Sequence, residues 1–146
     1  MFVLVAGAGR VGSTVARLTL EQGHTVSVLD RDPLSHERLE QGMDGSWEDA
    51  GGILTIGAAL ESRALEAAGI AQADVFIAAT HGDNTNLIIV QIAQKRYGLK
   101  RVIARVLDPA RAEWYSERGG IEIICGTSRA IDMIEVATFQ GIEGGG

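Results

Sequence analysis

Apolar runs and helix-period stretches alternate along the whole chain. Residues 1–6 read as a buried strand, and 10–22 as a helix with Val11, Val15, Leu18 and Leu20 on its apolar side. Strands are predicted over 25–29, 53–56, 74–79, 101–106 and 121–124, each a short apolar run, with Val75 to Ala79 the most apolar. Between them the spacing predicts helices over 34–41 behind Pro33, 61–68 ending at Gly69, 84–97 capped by Gly98, 109–118 closed by Gly119-Gly120, and 127–139. In the helix over 84–97, Leu87, Ile88, Val90 and Ile92 are expected inward. Thr127 or Ser128 is the expected N-cap of the last helix, and the glycine-rich, acidic stretch 42–52 around Trp47 reads as a loop. Near-continuous apolar strands alternating with helices imply a parallel sheet covered on both faces. The predicted fold is α/β: one doubly wound, Rossmann-like domain over 1–140, with a flexible glycine-rich tail over 141–146.

The first strand runs straight into Gly7-Ala8-Gly9-Arg10-Val11-Gly12, a G-x-G-x-x-G followed at once by a helix. Gly7 permits the tight strand-to-helix turn, Gly9 lets backbone N–H groups approach a pyrophosphate, and Gly12 lets the helix sit close on the strand. The anion would rest on the helix N-terminus, where unpaired N–H groups and the positive dipole end favour it. Asp30 closes the next apolar run, at the distance where an acidic side chain binds a ribose diol. The competing reading of Asp30 is an ordinary strand-end turn residue. Its charge disfavours the 2′-phosphate of NADP, an exclusion tempered by Arg31 next door. Arg10 occupies a loop position where dehydrogenases usually carry an apolar residue, and a guanidinium there can meet a phosphate through two hydrogen bonds.

Composition narrows the class. The chain has 146 residues, enough for one ordinary domain with a core. No apolar run approaches the length of a membrane span and no secretory leader is read at the start. One cysteine, Cys125, suits a reducing cytoplasm; without cysteine or histidine at metal-ligand spacing, it reads as a small buried hydrophobe. The formal net charge of −6 argues against a general nucleic-acid binder.

Several blocks beyond the glycines carry a family resemblance: Gly23-His24-Thr25-Val26 leading to Asp30; Gly57-Ala58-Ala59 with Leu65 to Ile70; Ala79-Thr80 with Asp83 and Asn86-Leu87; and Arg101 to Val106 followed by Asp108-Pro109. With these the chain resembles the N-terminal nucleotide-binding domain of TrkA/KtrA-type proteins, the RCK domains that regulate potassium uptake and conductance. The resemblance implies a peripheral cytoplasmic subunit that binds NAD(H) or ADP/ATP and gates a membrane-embedded potassium transporter or channel. It implies nucleotide contacts from Gly7, Ala8, Gly9, Arg10, Val11, Gly12, Asp30, Arg31, Ala58, Ala59, Ala79, Thr80 and Arg105. Where the family often has an acidic residue after the third strand, this chain has Ala58. Where some relatives place a metal-binding glutamate after the sixth strand, Gly126 and Thr127 stand, and no metal site is expected.

Arg105 ends the fifth strand among apolar neighbours, so it needs a partner: a nucleotide phosphate or a carboxylate such as Asp83. His81, next to Thr80, is within reach of a ligand, although a loop histidine is more often a bystander. His24 and His36 read as structural or solvated. The last helix offers Ile131, Ile134 and Ala137 on one side, with Met133, Val136 and Phe139 widening the apolar surface. The expectation is a homodimer or larger ring with Ile134 and Phe139 at the interface, the alternative being burial of both sides within one subunit. The other functional class weighed is a small NAD-dependent oxidoreductase or epimerase-like enzyme. It would need an acid or base at a nicotinamide and a second lobe. No Tyr-x-x-x-Lys pair occurs, and Lys95 and Lys100 lie away from the predicted carboxyl edge. The sequence therefore favours a regulator over an enzyme.

Overall fold

The computed structural model describes residues 1–142 of the chain; of the tail expected over 141–146, residues 143–146 lie outside the described residues. The elements are β1 (Phe2–Ala6), α1 (Arg10–Glu21), β2 (Thr25–Asp30), α2 (Ser35–Glu40), β3 (Ile53–Ile56), α3 (Ser62–Ala67), β4 (Val75–Ala78), α4 (Asp83–Lys95), β5 (Arg101–Arg105), α5 (Pro109–Glu117), β6 (Glu122–Ile124) and α6 (Gly126–Phe139). A single 3-10 turn, Ile70–Gln72, stands between α3 and β4. All strand pairs are parallel, in the order β3-β2-β1-β4-β5-β6. The sheet thus winds outward in both directions from β1 and β4, and the switch point between them is where ligands collect in doubly wound folds.

Side chains alternate across the sheet, so each strand feeds two cores. Leu4, Ala6, Phe76, Ala78, Val102 and Ala104 pack against α3, α4 and α5 residues such as Leu65, Leu87 and Ile89. Val3, Val5, Val26 and Val28 form the second core with Ala16, Leu39 and Trp47. Fully burying each of the large aliphatic or aromatic side chains stabilises the fold by about 1.5–3 kcal/mol. Trp47 belongs to a stretch read as loop, yet it is completely buried and its indole N–H donates to the Ile53 carbonyl at 3.0 Å. The loop around it is therefore a structural cover over the second core.

Two helix faces differ from expectation. On α1 the buried residues are Gly12, Ser13 and Ala16, whereas Val11 and Leu18 are exposed. Small side chains face the sheet because the helix lies close upon it; Val11 and Leu18 are turned outward, Val15 is half-buried, and Leu20 packs at the edge of the second core. On α4 the buried set is Asn86, Leu87, Ile89, Val90 and Ala93, and Ile88 is exposed. The N-cap of α6 is Cys125 rather than Thr127 or Ser128: its Sγ accepts from the Ser128 amide at 3.4 Å. The same thiol donates to the Leu107 carbonyl at 3.7 Å.

α6 has no buried residue among the described ones. Ile131, Met133, Ile134, Val136 and Phe139 are between 54% and 71% exposed, so the described residues do not bury either side of this helix. Among the described residues, no helix is long and apolar enough to cross a membrane.

Candidate functional site

The β1–α1 turn is built by close backbone approach. Gly7 has φ +100, and a Cβ there would stand 2.6 Å from the Ala79 carbonyl oxygen and 2.7 Å from the Thr80 nitrogen. The turn therefore rests directly on the end of β4. At Gly12 a Cβ would come within 1.8 Å of the Gly7 carbonyl oxygen, so only glycine allows α1 to lie this near. Gly9 is different. Its Cβ position meets nothing closer than the His81 ring at 3.6 Å. It is the N-cap of α1 and has no side-chain cap bond, so the first amides of the helix are turned outward without a side-chain acceptor.

Asp30 anchors the loop from β2. Its Oδ2 accepts from the Ala8 amide at 2.6 Å and its Oδ1 from the Asp32 amide at 2.8 Å. Arg38 reaches in from α2: Nε donates to the Ala8 carbonyl at 2.5 Å, one terminal nitrogen bonds Asp32 at 3.0 Å, and the other stands 3.8 Å from Asp30. The Leu34 amide, with the Arg38 guanidinium after it, holds the Asp32 carboxyl below its ordinary value. Arg17 of α1 in turn donates to the Arg38 and Leu39 carbonyls at the end of α2. Arg10, by contrast, has no side-chain hydrogen bond or ion pair among the described residues, although it stands at the positive end of a helix.

On the β4 side, Asn86 is the connecting residue. It is buried, and its Oδ1 accepts from the Thr80 amide at 2.9 Å and the Thr80 hydroxyl at 2.6 Å. Its amide nitrogen donates to the Thr80 carbonyl at 3.1 Å and the Arg105 carbonyl at 2.8 Å. All of its bonding capacity is thus spent on pinning the ends of β4 and β5. Asp83 accepts from the Leu107 and Asp108 amides at 2.8 and 3.0 Å, and so ties the start of α4 to the loop after β5.

Together these elements border an open cleft of about 700 Å³ at the carboxyl ends of β1, β2, β3 and β4. Of the residues singled out from sequence, it brings together Gly7, Gly9, Arg10, Asp30, Arg31, Ala58, Ala59, Ala79 and Thr80. Ala8, Val11 and Gly12 do not line it: Ala8 and Gly12 are buried in the loop's packing and Val11 faces outward. Arg105 does not line it either, and Asp83 is committed to backbone amides rather than to Arg105. Sequence reasoning missed Asp32, Arg38, Leu60 and Thr85 in the walls, and gave Asn86 no role of its own. Arg38 lies eight positions beyond Asp30, on a helix reached through an irregular turn, so no fixed spacing marks it. Asn86 carried the one usable signal, a polar residue on the apolar side of α4.

A family model, described as TrkA-N domain, matches residues 3–127. The chain belongs to the TrkA-N domain family. It is 40% identical over 119 residues to the Streptomyces coelicolor protein named Trk system potassium uptake protein TrkA, covering 82% of this chain and 50% of that one. The Mycobacterium tuberculosis protein of the same name is 34% identical over 143 residues, covering 97% and 61%. The TrkA-N chain described here thus spans about half to three-fifths of the length of these relatives. Among solved structures, the Shewanella denitrificans Kef CTD in AMP-bound form is similar at 30% identity and a TM-score of 0.72, covering 97% of this chain and 82% of that one.

Proposed function

We propose that this TrkA-N domain is a nucleotide-sensing regulatory unit that binds NAD(H) or ADP/ATP in the cleft and thereby gates a potassium transporter or channel. The observation that carries the reading is the geometry at Gly9: the one glycine of the loop whose Cβ direction opens into the cleft stands at the N-cap of α1. A phosphate chain fits there because bare amides and the helix dipole favour an anion and no side chain obstructs it. Arg10 supplies the mobile positive charge. The ribose would lie toward Asp30, which keeps lone pairs beyond its bonds to Ala8 and Asp32. Ala58 and Ala59, with Leu60 beside them, offer an apolar wall against which a purine can lie. The AMP named for the Kef structure and the potassium-uptake names of the curated relatives support the ligand class and the role.

Gating in this account is a population shift: a ligand with unequal affinity for two packings of an assembly biases it toward one. The unburied α6 supplies the contact, and a second copy of the chain is its proposed cover. The unit is cytoplasmic and meets the membrane through its pore-forming partner. It has no catalytic role of its own, since substrate turnover would need an acid or base organised against a nicotinamide. Titration of the purified chain with NAD⁺, NADH, ADP and ATP, followed by NADH with a panel of carbonyl compounds, tests both halves. The expected result is saturable binding of at least one nucleotide with no NADH consumption. Absence of all binding, or steady NADH oxidation, would overturn the regulator reading.

A further inference from the structure

The open side of the phosphate loop has a single side-chain neighbour. The point at which a Cβ would stand on Gly9 is 3.6 Å from Cε1 and 3.9 Å from Nε2 of His81. His81 is exposed and lines the cleft, and its ring makes no hydrogen bond or ion pair among the described residues. Its backbone is fixed on both sides, by the Thr80–Asn86 bonds and by Asp83 holding the Leu107 and Asp108 amides. The ring therefore stands beside the loop on a rigid mount.

The charged groups around it leave its polar atoms unused. Arg10 comes from α1, Asp30 from β2, Arg31 and Asp32 from the turn after it, and Arg38 from α2. The two carboxylates are bound to the Ala8, Asp32 and Leu34 amides and to Arg38. Asp83, on α4, is taken by backbone amides. An anion placed on the loop is thus the group His81 would meet.

We propose that His81 is a ligand-contacting residue whose ring donates a hydrogen bond to the nucleotide phosphate at the loop, and whose protonation tightens binding of that anion. This rests on the nucleotide reading above. Neutral imidazole offers one N–H donor, whereas imidazolium offers two and a positive charge. An anion that prefers the protonated ring draws a proton onto it as it binds, so the extra affinity is present at acid pH and is lost as pH rises.

NAD⁺ is the suitable probe because its pyrophosphate has no ionisation near neutrality, whereas a terminal phosphate titrates at a pKa of about 6. Calorimetric titrations with NAD⁺ and adenosine would be run at about pH 5.5 and about pH 8. For the wild type, NAD⁺ should bind about three- to tenfold tighter at the lower pH, with adenosine unchanged. His81→Gln should remove that difference, and His81→Lys should bind tightly at both values. Saturation with NAD⁺ should also raise the midpoint at which the His81 ring protons titrate by NMR. A His81→Gln protein with wild-type NAD⁺ affinity and pH dependence would overturn the role of His81 while leaving the cleft as the nucleotide site. A wild type that binds neither NAD⁺ nor adenosine would overturn both.

Discussion

Three glycines in one loop do three different things, and single substitutions separate them. Gly12→Ala would drive a methyl group into the Gly7 carbonyl, which lies 1.8 Å from its position, so α1 must lift off the sheet. The expected cost is about 2–4 kcal/mol of stability, read as a lowered denaturant midpoint. Gly9→Val adds a side chain pointing into the cleft and should leave the melting temperature nearly unchanged. Asp30 has two duties, because its carboxylate holds the Ala8 amide as well as facing the cleft. Asp30→Ala should therefore weaken NAD⁺ and ATP alike, by about 1–3 kcal/mol, and destabilise the ligand-free protein too. The Arg10 side chain has no partner among the described residues, so Arg10→Ala should spare stability and weaken ATP more than adenosine. Equal losses for the two ligands would remove Arg10 from the phosphates.

Among the elements, β1, α1 and the end of β2 were legible in the sequence because each follows from a local rule. An apolar run needs to be buried, G-x-G-x-x-G needs a tight turn, and an acid at a strand end faces the cleft. The inward face of α1 was not legible. A count of apolar residues points to Val11 and Leu18, but close packing on the sheet selects Gly12, Ser13 and Ala16. The same limit hid Trp47, whose burial depends on Gly52: a Cβ there would stand 2.1 Å from the indole ring. Trp47→Ala should cost about 3–5 kcal/mol and uncover the second core, measurable by denaturant unfolding. Arg38 was invisible because α2 is brought to the glycine loop only by the tertiary fold, through Arg17 and Ala8. Its bond to Asp32 carries a pH signature. Asp32 is held below its ordinary pKa, so this contribution is present above the unfolded-state value and is lost as pH falls through the folded one. An NMR titration should show Asp32 protonating at lower pH in the wild type than in Arg38→Gln.

At the scale of the whole molecule, the sheet with its cleft is self-sufficient, whereas α6 is not. A helix that keeps Ile131, Met133, Ile134, Val136 and Phe139 in water presents a surface that association would cover. Light scattering over a concentration series should find a dimer or larger assembly, and Ile134→Asp should shift it toward monomer without loss of the cleft. A monomer at all concentrations, with and without nucleotide, would contradict self-association through α6. In the proposed gating, a ligand that prefers one packing tenfold would supply about 1.4 kcal/mol of bias per site, and several sites in one assembly would multiply that leverage. That leverage depends on one prior fact, a nucleotide seated on the loop of α1. Calorimetry of the wild type and of Gly9→Val, each titrated with NAD⁺, NADH, ADP and ATP, tests it most directly. The account predicts that the wild type binds at least one of the four and that Gly9→Val, with unchanged helix content and melting temperature, binds none. Equal affinity in a folded Gly9→Val protein would contradict it.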